Sequence, residues 1–145
     1  MNVHDQLLAQ LGQALGLPLV FDANGQCLLM LDQKLMISIR YGDAQWTFYC
    51  MLAQKPQLTE NHYWQTCLQL NLKLAEQGKG CICYEPQSDA LLYLTFIPMP
   101  ASSPLLSEFL GDLVDTYQAL QSHVETEMTG TISSINTINL SAGGQ

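Results

Sequence analysis

Three histidines and five cysteines are the side chains of this 145-residue chain from which a base, a nucleophile or a metal site would be assembled. His4, His62 and His123 lie in three different helical contexts. None has a cysteine or carboxylate pattern close by in sequence that would make a nucleophile–base pair. His4, near a helix start, and His123, near a helix end, read as exposed side chains. Cys81-x-Cys83 looks like half of a metal site, and on a strand its two thiols would share one face. No second Cys-x-x-Cys or His-x-x-x-His exists to complete four ligands, so structural core cysteines are expected there. No dinucleotide, phosphate-loop, zinc-protease or nucleophile-elbow motif occurs. Gly12 and Gly16 interrupt or end a helix with no strand before them, so they form no phosphate loop. The expectation is a non-enzyme without cofactor or metal.

Composition points the same way. With 48% hydrophobic and 12% charged residues the chain has ample material for a core and few charges. Thirteen acidic residues against five basic give a net charge of -8, and Lys34, Arg40, Lys55, Lys73 and Lys79 are scattered. Nucleic acid and anionic lipid both need clustered cations, so neither is an expected partner. No apolar run reaches the length of a membrane span. The opening MNVHDQLLAQLGQALGL lacks a basic leader, and the five cysteines, Cys27, Cys50, Cys67, Cys81 and Cys83, are odd in number, with three inside apolar runs. A cytoplasmic protein is expected.

The elements that would position a binding surface are well marked. Val3, Leu7, Leu8, Leu11, Ala14 and Leu15 make an amphipathic first helix, closed by Gly16 and Pro18. Leu19–Phe21 forms a short extended piece before the Asn24-Gly25 turn. Gln26–Leu52 then reads as a three-stranded antiparallel meander, broken at Asp32-Gln33 and Gly42-Asp43-Ala44. Alternation puts Leu35, Ile37, Ile39, Trp46, Phe48, Cys50 and Leu52 on a core face. The opposite face, with Met36, Ser38, Arg40, Thr47, Tyr49 and Met51, is half apolar. It suits either the chain's own helix or a surface that receives another chain.

A loop over 54–60, with Thr59 as cap, precedes a second helix running to about Gln77 and stopped by Gly78-Lys79-Gly80. It carries two apolar stripes, Trp64, Leu68 and Leu72 against Tyr63, Cys67, Leu70 and Leu74, and is therefore expected to contact two things, another subunit being a candidate for the second. Cys81–Tyr84 and Ala90–Pro98 form a second hairpin whose last strand is apolar on both faces. Ser103-Pro104 opens a third helix that fades near Glu127. The fold class is α+β in the order α-β-β-β-α-β-β-α, an antiparallel sheet packed with helices. Residues 1–128 form one domain, and 129–145 form a loosely held polar tail.

In size, acidity, element order and the opening LLAQLGQALGLPLVFDANGQCLLMLDQKLMISI, the chain resembles class I type III secretion chaperones of the CesT/SycE-like family over about Val3–Glu127. The resemblance implies a cytoplasmic bacterial homodimer that binds the N-terminal region of one or a few effector proteins. It holds that region extended and presents it to the export apparatus, including the export ATPase. Strand addition and helix-in-groove recognition would do this. Carried over by position, effector contacts fall on Leu8, Leu28, Met30, Met36, Ser38, Tyr49 and Met51. The dimer interface falls on Trp64, Leu68, Leu72, Tyr93 and Thr95. The tail departs from the family pattern, and its Thr131–Leu140 segment is a candidate occupant of an apolar groove when no effector is bound. Two other classes fit the residues: a small-ligand sensor domain, and a chaperone that also sequesters a regulatory partner.

Overall fold

The computed structural model describes residues 2–54 and 61–129, with side chains for 2–54 and 64–124. Three helices and five strands follow in the order the patterning predicts: α1 (Val3–Leu15), β1 (Gln26–Leu31), β2 (Leu35–Tyr41), β3 (Gln45–Gln54), α2 (Asn61–Gln77), β4 (Cys81–Glu85), β5 (Ala90–Pro98) and α3 (Ser103–Thr129). The strands form one sheet in the order β1-β2-β3-β5-β4. Its contacts gather into two compact units, Met1–Cys50 with Thr95–Val114, and Met51–Leu94 with Asp115–Gln145. The loop over 54–60 beyond Gln54, the Thr59 cap, the side chains of His62 and Tyr63, and the tail over 130–145 lie outside the described residues.

In the first unit, the Asn2 side chain caps α1 by accepting from the Asp5 amide at 2.7 Å. Gly16 ends the helix at φ +73, where a left-handed residue lets the Gly16 and Leu17 amides reach back to the last carbonyls. Leu7, Leu8 and Leu11 of α1 are buried, as are Cys27, Leu29, Leu35, Ile37, Ile39, Trp46, Phe48 and Cys50 of the meander. The residues assigned to a core face by alternation therefore do face the core. Leu19–Phe21 is not a strand. Instead Asp22 turns the chain, its amide donating to the Gln26 carbonyl and its carboxylate accepting from the Asn24 and Gln26 amides. Phe21 packs edge-on against Tyr41 and Trp46.

In the second unit, Cys67, Leu70 and Leu74 of α2 are buried, together with Ile82, Leu91, Tyr93, Tyr117, Leu120 and Val124. Two tyrosine hydroxyls donate to backbone carbonyls, Tyr93 to Lys79 at 2.5 Å and Tyr117 to Met51 at 2.6 Å, which satisfies their polar ends inside an apolar core. The cap of α3 is Ser102, one residue before the Ser103-Pro104 pair that opens the helix: its hydroxyl accepts from the Leu105 amide and its carbonyl from the Leu106 amide.

Candidate functional site

Two of the histidines and three of the cysteines are engaged in structure. His4 Nδ1 accepts from Trp46 Nε1 at 2.9 Å, and its ring stacks on Tyr41 with centroids 4.5 Å apart. His123 is buried, not exposed as expected, and burial lowers the pKa of its imidazole because the charged form is desolvated. Burial also pushes the Cys50 thiol up to about 12 and raises that of Cys27. Cys27, Cys50 and Cys67 are core cysteines. Cys81 and Cys83 are not: on β4 the first is exposed and the second half-buried, because the residue between them, Ile82, takes the core side. Among the described residues no three potential ligands gather into a metal site.

What the first unit does present is the outer face of its meander. The β1–β2 and β2–β3 pairings align it into rows: Gln26, Arg40 and Thr47; Leu28, Ser38 and Tyr49; Met30 and Met36. The first row is polar, and beside it the Arg40 guanidinium stands 5.9 Å from the Tyr49 ring centre. Gln26 Nε2 donates to Ser38 Oγ at 2.7 Å, tying the first row to the second. The face becomes apolar toward Met30 and Met36, and Leu28 is 63% exposed. On β5, Phe96 is exposed between the buried Thr95 and Ile97.

This face ends at an edge strand, because among the described residues β1 pairs only with β2. The Gln26 amide and carbonyl bond to Asp22. Antiparallel alternation then turns the peptide groups of Leu28 and Met30 the same way, away from β2. Two consecutive donor–acceptor pairs at an open edge, flanked by apolar side chains, are what strand addition requires.

The residues expected at an effector contact divide accordingly. Leu28, Met30, Met36, Ser38 and Tyr49 come together in adjacent rows. Met51 is half-buried further along β3, in the second unit. Leu8 is fully buried on the core stripe of α1 and offers nothing to a partner at the surface.

The expected dimer residues divide too. In α2, Trp64, Leu68 and Leu72 form an exposed stripe, Leu68 at 62% and Leu72 at 60%, opposite the buried Cys67, Leu70 and Leu74. Tyr93 and Thr95 are interior: alternation along β5 turns them to the core and turns Leu92, Leu94 and Phe96 outward. Both faces of that strand are apolar, so nothing in its sequence separated them. The β1 edge was equally illegible, since pairing order is not written in a strand's own residues.

The chain is similar to solved structures of known kind. One belongs to the HopA1–SchA chaperone–effector complex, with 19% identity and a TM-score of 0.69 over 82% of this chain and 93% of that one. Another belongs to the ExsC–ExsE complex, with 14% identity and a TM-score of 0.70 over 84% and 96%. A third belongs to the Yersinia pestis type III secretion chaperone SycH in complex with a YscM2 fragment, with 16% identity and a TM-score of 0.58 over 81% and 99%. These likenesses establish the fold. Membership follows from the sequence itself, since residues 6–121 match a single family model that spans α1 to α3, and the chain belongs to the Tir chaperone protein (CesT) family.

Proposed function

We propose that this chain is a type III secretion chaperone. As a homodimer in the bacterial cytoplasm it binds the N-terminal segment of one or a few effector proteins, keeps that segment extended, and delivers it to the export apparatus and its ATPase. The observation that carries this reading is the open edge of β1, where Leu28 and Met30 combine outward peptide groups with exposed apolar side chains. An extended client gains backbone hydrogen bonds along that edge and buries alternate side chains over Leu28, Met30 and Met36. Ordering an unfolded segment is costly, so the contact must be wide and apolar, and the outer face supplies such a surface. Family membership and the complexes formed by the similar proteins support it.

The exposed α2 stripe supports the homodimer, since Trp64, Leu68 and Leu72 are large apolar residues that stay 41%, 62% and 60% exposed among the described residues. Binding, not catalysis, is the role the residues suit. No helix among the described residues is long and apolar enough to cross a membrane.

The test is co-expression with the neighbouring open reading frames, followed by pull-down, light scattering and mass spectrometry of the bound chains. The expected species is two copies with one larger protein, held through that protein's N-terminal segment. Leu28→Glu with Met30→Glu leaves the fold intact and loses the client. A monomer that retains a small molecule and no protein overturns the reading in favour of a sensor domain.

A further inference from the structure

Among the described residues the sheet has two edge strands, and they are not equivalent. On β4, the Ile82 amide donates to Asn71 Oδ1 at 2.6 Å, and Asn71 Nδ2 donates to the Ile82 carbonyl at 3.1 Å. One carboxamide thus takes both peptide groups of one strand residue, the same donor–acceptor pair that a residue of an added strand would take. Because both Ile82 groups point away from β5, alternation leaves Tyr84 as the one other residue within five-residue β4 whose peptide groups face that edge. A single remaining pair sets no register for an incoming strand. The β1 edge, by contrast, keeps two consecutive pairs, at Leu28 and Met30. Asparagine is a poor residue for a helix interior, yet Asn71 stands well inside α2, which packs along β4.

We infer that Asn71 is a positioning residue that closes the β4 edge to strand addition, so that an extended chain joins this sheet at β1 alone. The inference rests on the proposed client-binding reading only in naming β1 as the edge in use. Closure of β4 is tested without any client, and its failure leaves that reading standing. The partner that Asn71 excludes is the β4 edge of a second copy, which would pair antiparallel about a two-fold axis. Without Asn71, that edge becomes a template for such pairing.

Two measurements on the full chain decide it. In the unaltered protein, amide exchange followed by NMR should be at least about tenfold slower at Ile82 than at Leu28, because one is clamped and the other is open. Equal rates overturn the proposal, whatever any variant does. Asn71→Ala should release the Ile82 amide and raise the mass seen by light scattering to about twice that of the unaltered protein as concentration rises. Adding Tyr84→Pro, which removes the other edge N–H, should return the mass to the unaltered value. An Asn71→Ala protein whose Ile82 amide exchanges freely while its mass stays unchanged overturns the inference. So does association that Tyr84→Pro does not reverse, because it would then run through α2 and not through β4.

Discussion

At the scale of single residues, environment decides properties that residue type leaves open. Gly12 is the clearest case. It sits inside α1, where glycine costs roughly 1 kcal/mol against alanine, so the helix alone would favour replacement. A β-carbon there would collide with the Leu17 carbonyl oxygen and crowd the Leu19 amide, where the chain folds back beneath the helix end. The clash outweighs the propensity gain, and Gly12→Ala should destabilise by about 1–3 kcal/mol, read from the urea midpoint. Cys50 makes a second case. Its thiol is held neutral to about pH 12 by burial, while in the unfolded chain it ionises near its ordinary value of 9.0. The unfolded state therefore releases a proton that the folded state keeps. The stability from this group is complete below pH 9 and is lost as pH rises from 9 toward 12, by at most about 1.4 kcal/mol per pH unit. Denaturation at pH 8 and pH 10 should show a loss in the wild type that is smaller in Cys50→Val.

At the scale of elements, the informative feature is apolar surface that a helix or strand leaves uncovered. One stripe of α2 is spent on the core and the other is not. Because Leu68 and Leu72 are 62% and 60% exposed and Trp64 is 41% exposed, a charge there should not unfold the chain. Trp64→Glu with Leu68→Glu should give a folded monomer, with native circular dichroism and half the dimer mass by light scattering. A folded dimer carrying both changes removes α2 from the interface. For the proposed dimer, the same reasoning replaces Tyr93 and Thr95, which face the core, with Leu92, Leu94 and Phe96, which face outward, as the β5 residues to test.

At the scale of the whole molecule, acidity and uncovered apolar surface act together. A net charge of -8 keeps such a chain dispersed while its sheet face stays exposed. A client that binds only the folded chaperone stabilises it by mass action, so a client segment at a hundred times its Kd should add about 2.7 kcal/mol, seen as a rise in Tm. The same segment with its alternate apolar residues changed to aspartate should give no rise.

The sequence by itself determined the element order, the caps and breaks at Gly16 and Gly78, and the core face of the meander. These are local properties: a period of two or 3.6, and residues whose backbone or side chain can end a helix. It also carried the family resemblance, which rests on that same order. Tertiary structure alone decided which strands are edges, which apolar face of β5 is buried, and that Asn71 is engaged by β4. The reason is that a strand's residues state what each face is made of and not what lies beside it. Pairing order and the neighbour across an edge are set by contacts between segments far apart in the chain.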